Sequence, residues 1–211
     1  MPLQNRVDPF GSFHSVNARG SYLGNRGILH NEQKQIVAPW RGKAWVTCLL
    51  VFEGIKRPVF SAGSYSELFF LDEATAFSAG HRPCNDCQKD RFKEFKAAWL
   101  SANSDLLPII DAKPSIKIID NILHAERAAR GGVKVKFIEQ IQNIPDGVFI
   151  EISGDAFLVY RSALFPWSFA GYGSPLDLPQ ADTLVQVLTP KSIVSMFRKG
   201  FVPKIHISAG T

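Results

Sequence analysis

The run Gly80-His81-Arg82-Pro83-Cys84-Asn85-Asp86-Cys87 constrains this 211-residue chain more than any other segment. Two cysteines three positions apart can turn both sulfurs to one side when they open a helix, and the partial positive charge at a helix N-terminus favours thiolates. Pro83 stiffens the turn ahead of them, and Gly80 suits the residue just past the end of a preceding helix. The pattern therefore predicts helix, turn, cysteine pair, helix. Residues 72–79 read as the first helix, capped by Asp72 and filled by alanine and phenylalanine. Residues 84–100 read as the second, with Phe92, Phe95 and Trp99 at i, i+3 and i+7. That stripe suits a core face better than a base-stacking platform.

The remainder alternates between strand and helix signals. Residues 45–53 form an apolar run rich in Trp, Val, Thr, Leu and Phe, and Gly54 ends it, as in a buried strand. Residues 115–130 predict a third helix with Ile116, Ile119, Leu123 and Ala129 on its core face, stopped by Gly131 and Gly132. Strands are expected at 133–138, 148–152, 156–161 and 184–188, with Ser153-Gly154-Asp155 as a hairpin turn. Thr189 and Pro190 then open a last helix at 191–199. These elements predict an α+β fold with mixed or antiparallel sheet and three to four helices. We expect a single domain over 1–211, its weakest point at 103–114.

Net charge is +5, and it is segregated. Residues 1–61 hold eight Lys or Arg against three Asp or Glu, and residues 113–136 hold six against two. Positive segments of this kind suit a phosphate backbone or another anion. Arg19, Asn25 and Arg26, interleaved with Gly20, Gly24 and Gly27, are candidate anion contacts, as are Lys117, Arg127, Arg130 and Lys113. An arginine-rich surface loop with turn glycines is the plainer reading of the first group. No Gly-Lys-Ser/Thr follows those glycines, so no nucleotide cofactor motif is present. Asp120 and His124 stand one helical turn apart and share a face with Arg127, an arrangement suited to a general base or to an ordinary helix pair. No window reaches eighteen apolar residues, and residues 1–8 carry no apolar leader, so neither a membrane partner nor secretion is expected. Three cysteines, an odd number, suit reduced thiols in the cytoplasm.

Phe69-Phe70-Leu71-Asp72-Glu73-Ala74-Thr75-Ala76, running into Ala79-Gly80-His81-Arg82-Pro83-Cys84-Asn85-Asp86-Cys87, resembles the metal-binding, methyl-phosphotriester-repair domain of Ada-type proteins. In that family an aromatic pair, a short helix with Glu-Ala, and Ala-Gly-aromatic-Arg-Pro-Cys-x-x-Cys deliver the last two of four zinc ligands. The resemblance spans residues 69–91, within a half-module at 69–100. It implies zinc at Cys84 and Cys87 and an association with nucleic acid and DNA repair. The family has two further cysteines upstream, four residues apart, one of which accepts the methyl group. Here the stretch 45–70 holds only Cys48, inside an apolar run, so a four-cysteine site and suicide methyl transfer are not expected. His81 is the first candidate for a third ligand, with His30 and Cys48 behind it; Cys48 also reads as a small core residue. The segment can equally pack without metal. A thioredoxin-like redox pair would want a strand directly before Cys84, where a helix and a glycine are expected. The leading expectation is a nucleic-acid-associated protein that acts on or recognises modified or damaged DNA. The alternative is a hydrolase or transferase that holds a small anionic substrate with Arg19, Asn25, Arg26 and His30 and uses Asp120 and His124 for proton transfer.

Overall fold

The computed structural model of the chain describes residues 1–52, 54, 58–108 and 114–210. Lys113 and part of the expected 45–53 strand lie outside them. The N-terminal half makes a mixed six-stranded sheet from short strands: β1 (Arg6–Val7), β2 (Phe13–His14), β3 (Tyr22–Asn25), β4 (Val46–Cys48), β5 (Leu68–Phe70) and β6 (Arg82–Pro83). Their order is β2-β1-β5-β3-β4-β6. β1 runs parallel to β5 and β4 runs parallel to β6, while the other neighbours are antiparallel.

The C-terminal half makes an antiparallel sheet of order β11-β10-β9-β8-β13-β7, with β12 beside β10. Its strands are β7 (Phe137–Gln140), β8 (Phe149–Ile152), β9 (Asp155–Tyr160), β10 (Ala163–Ser168), β11 (Gly171–Tyr172), β12 (Leu176–Asp177) and β13 (Leu184–Val187). Ser153 and Gly154 both take positive φ, 54° and 89°, and close the β8–β9 hairpin as their sequence predicts.

Four α-helices among the described residues join the sheets: α1 (Glu73–Ser78), α2 (Lys89–Ala102), α3 (Ile116–Arg127) and α4 (Lys191–Arg198). One apolar cluster takes Phe77 from α1, Phe95 and Trp99 from α2, Ile119 and Leu123 from α3, and Val187, Ile193 and Phe197 from the C-terminal half. The expected α+β class therefore forms. Asp72 ties the halves together. Its carboxylate caps α1 through Thr75 N (2.8 Å) and accepts from Tyr172 Oη (2.7 Å) and His206 N (2.9 Å). Burial pushes its pKa up, and those four donors, counting the Thr75 hydroxyl, pull against it. Gly80 takes φ +87° after α1, where a Cβ would collide with the Arg127 side chain.

Several boundaries differ from expectation, among them the strand expected at 133–138, which falls at Phe137–Gln140, and the third helix, which ends at Arg127 rather than 130. The second helix starts at Lys89 rather than Cys84, because residues 84–88 form a turn held by Gln88, whose side-chain amide donates to Thr47 O (2.8 Å). The strand expected at 45–53 pairs only over Val46–Cys48; Leu49, Leu50 and Val51 leave the sheet, and Val51 is 77% exposed. Thr189 does not cap the last helix, since its hydroxyl accepts from Phe149 N (2.9 Å), and Pro190 stands at the cap. No helix among the described residues is long and apolar enough to cross a membrane.

Candidate metal centre and its cavity

The parallel pairing of β4 with β6 sets Val46 beside Arg82 and Thr47 beside Pro83. Cys84 N donates to Thr47 O (2.9 Å), so one step further along both strands Cys48 meets Cys84. The turn at 84–88 then brings Cys87 round to the same place. The sulfurs of Cys48, Cys84 and Cys87 all lie within 4.8 Å of one another, each residue half-buried, a grouping that can hold a metal ion. Among the described residues no other His, Cys, Asp or Glu joins them.

The electrostatics single out Cys84. The Cys48 thiol donates to it, and the backbone N–H groups of Asp86 and Cys87 add to this, drawing its pKa down to about 5 against the opposing effect of burial. Cys48 is pushed up, first by that same hydrogen bond and then by burial. Cys87 is pushed up by burial foremost. Three thiols this close cannot all ionise cheaply without a cation among them, which is what a bound metal supplies.

The cluster opens onto a cavity of about 750 Å³ whose walls include Leu23, Asn25, Phe52, Tyr65, Glu67 and Phe69. Behind the cysteines, Arg82 forms a buried two-point ion pair with Asp120 on α3, Nε to Oδ1 at 2.7 Å and Nη2 to Oδ2 at 2.9 Å. Arg91 makes the same kind of pair with Glu73, at 2.9 and 2.6 Å, joining α2 to the start of α1. Both pairs fix the segment that carries the cysteines from two sides. Searched against protein-family models, curated proteins and solved structures, the chain matches none of them.

The residues picked out in the sequence fall into different places. Cys84 and Cys87 meet as expected, but His81 does not join them. Its ring is buried against Phe70 and Trp45, and its Nε2 accepts from Arg26 Nε at 3.2 Å. His30 stacks on Phe60 and shares a hydrogen bond with Ser66 Oγ (2.7 Å). Cys48 is the third member, drawn in by strand pairing that no local pattern reveals; its being the one remaining cysteine was the available signal.

Asp120 and His124 do not pair, because both Asp120 oxygens are taken by Arg82. His124 sits instead against Trp40 and Trp45, with Arg127 Nη2 3.3 Å from its Nδ1. Burial, then the charges of Arg127 and Lys43, hold its pKa low. It does not line the cavity, so the proton-transfer role expected of the two residues loses its geometry. Arg26 and Arg127 are each only 2% exposed and cannot reach a duplex, whereas Arg19, Lys117 and Arg130 are exposed. Asn25 lines the cavity, its Oδ1 accepting from Gly27 N (2.8 Å). Trp167 and Tyr172 direct their polar atoms to Thr75 and Asp72 and pack in the second apolar cluster.

Proposed function

We propose that the protein is a zinc-binding, nucleic-acid-associated protein in which Cys48, Cys84 and Cys87 hold the ion and the cavity presents a ligand to its fourth position. The convergence of three thiols at a cavity wall, with no fourth protein ligand beside them among the described residues, carries the reading. Soft thiolate donors select zinc over magnesium or calcium, and zinc is ordinarily four-coordinate. A structural site closes all four positions with protein, while a site with three protein ligands leaves one for water or substrate. Bound there, zinc polarises the group it meets and lowers the pKa of a coordinated water.

The chain's own residues set what can approach. Phe52, Tyr65 and Phe69 bring aromatic side chains to the cavity wall, and Asn25 and Glu67 bring polar ones. At about 750 Å³ the cavity falls in the usual range for small ligands, roughly 300–1,000 Å³. A planar heterocycle such as an extruded, modified base suits a cavity with mixed aromatic and polar walls. The exposed Arg19, Lys117 and Arg130, the net charge of +5 and the resemblance over residues 69–91 support a nucleic-acid partner.

The test is zinc content together with binding to single- and double-stranded DNA at two salt concentrations, for the unchanged protein and for Cys48→Ser. We expect one zinc per chain, lost in the variant, and DNA affinity that falls as salt rises, with a log–log slope of about −0.9 for each duplex phosphate neutralised. Metal-free protein, or DNA binding absent even at low salt, contradicts the corresponding half of the proposal.

A further inference from the structure

On the face of the N-terminal sheet away from the thiols, three interior side chains have donors with nowhere to go. Val46 and Cys48 line the cavity, so Trp45, one residue out of phase with them, faces the other side. Around its indole lie the Arg26 guanidinium, 4.1 Å from the ring centroid, the Arg127 guanidinium at 4.0 Å, and the His81 ring at 5.4 Å. Arg26 gives Nε to His81 and Nη1 to Gly11 O (3.0 Å), which leaves Nη2 without an acceptor. Because His81 Nε2 accepts, its proton sits on Nδ1, and that donor is also unpaired. Arg127 gives Nη1 to Gly80 O (2.7 Å) and Nη2 to Lys43 O (2.6 Å), and its Nε is unpaired. Every vacancy is on the acceptor side.

The charges tell the same story. Lys134 brings another cation to the cluster, its ammonium donating to Ser78 O. The carboxylates nearby are committed: Asp120 to Arg82, and Asp8 to His14 (2.7 Å) and Ser12 N (2.9 Å). Burial, with too little counter-charge, brings the pKa of Arg26 down to about 9 and that of Arg127 to about 8. Buried N–H groups nearly always find an acceptor, and buried charges are nearly always paired.

We propose that the unpartnered donors of Arg26, His81 and Arg127 around Trp45 form a binding site for a small oxyanion, a carboxylate or phosphate in chemistry. Its partner carries acceptors and negative charge, and it is small, since Arg26, His81 and Arg127 are 2%, 1% and 2% exposed. A polymer backbone cannot enter. The half-buried His124 lies against Arg127 and Trp45 at the edge of the cluster. The two basic segments of the sequence meet here, Arg26 and Lys43 from the first and Arg127 and Lys134 from the second. The site stands independently of the metal centre.

The experiment titrates phosphate, sulfate and acetate into protein exchanged into oxyanion-free buffer, with chloride at matched ionic strength as reference. Thermal midpoint and tryptophan fluorescence are the readouts. The expected result is a saturable rise in midpoint with at least one oxyanion beyond that with chloride, and about tenfold weaker affinity in Arg127→Lys, which keeps the charge but loses the Nε donor. Should that variant not fold, crystals of the unchanged protein grown with selenate decide the matter. An anomalous peak within hydrogen-bond reach of Arg26 Nη2 and Arg127 Nε supports the site. Oxyanions indistinguishable from chloride, or a buried water only at that position, overturn it.

Discussion

In the C-terminal sheet, five main strands of four to six residues pair antiparallel over a continuous apolar cluster. In the N-terminal sheet, strands of two to four residues include two parallel pairings. Among the described residues, the three buried donors left without a partner, on Arg26, His81 and Arg127, belong to its surroundings. Regular antiparallel pairing satisfies the backbone locally and leaves side chains free to pack, which makes a scaffold. Short strands inserted in parallel bring residues from distant parts of the chain together, here Cys48 beside Cys84 and Arg26 beside His81, and that is how polar side chains come to share an interior. The comparison teaches that regular apolar packing dominates one sheet, while the other gathers polar side chains from distant parts of the chain.

The sharpest way to break that division is a matched pair of variants. Asp120→Ala leaves the Arg82 guanidinium buried without its carboxylate and should cost about 3–5 kcal/mol. It should also weaken metal binding, because Arg82 leads directly into Pro83 and Cys84. Trp99→Ala removes a fully buried ring whose Nε1 donates to Ser192 Oγ (3.1 Å), and should cost a similar 3–5 kcal/mol. Metal affinity of its folded fraction should not change. Equal loss of metal in both variants, measured by chelator competition under folded conditions, would erase the distinction between the halves.

Hydrogen exchange sharpens the same contrast. Stripping the proposed zinc with a chelator should raise exchange at 46–48 and 82–89 while β8 and β9 keep their protection. Uniform loosening of both sheets would mean that the metal supports the whole fold rather than its site.

A smaller effect is expected from pH. Burial, and after it the charge of Arg26, brings the Lys134 ammonium down from its ordinary 10.5 to about 7. Between those values the unfolded chain binds a proton that the folded chain does not, so stability should rise as pH climbs from about 7 toward 10.5. Lys134→Met should remove that rise. Midpoints at pH 7 and 9 in oxyanion-free buffer decide it, and an unchanged difference between the two pH values counts against an underneutralised interior.

His124→Ala should have the smallest effect, within about 1 kcal/mol, since its half-buried ring meets Trp40 and Trp45 edge-on and adds one long contact, 3.3 Å, to Arg127 Nη2. A loss of several kcal/mol, read by denaturant unfolding, would mean that His124 holds the cationic cluster together.

What the sequence disclosed follows the range of the interactions. The Asp72 cap, the glycine after α1, the Phe95 and Trp99 core face and the Ser153-Gly154 turn all depend on neighbours within a few residues, and each is where the sequence puts it. β10 was not anticipated, because Phe-Pro-Trp interrupts the alternation by which a strand announces itself. The cysteine pair was legible from its spacing. Its third member depended on the β4–β6 register, and the fate of Asp120 depended on an arginine 38 positions away. Positive charge was read correctly as segregated along the chain, yet folding carried Arg26 and Arg127 inside, where their stems and planes pack on Trp45.

X-ray absorption at the zinc edge of the purified protein tests the central claim most directly. The account predicts three sulfur neighbours at about 2.3 Å and one oxygen or nitrogen at roughly 2.0–2.1 Å. That lighter neighbour should be exchangeable by added ligand, and the sulfur shell should disappear in Cys48→Ser. A shell of four sulfurs, a shell of two sulfurs completed by histidine, or protein that carries no metal would contradict it.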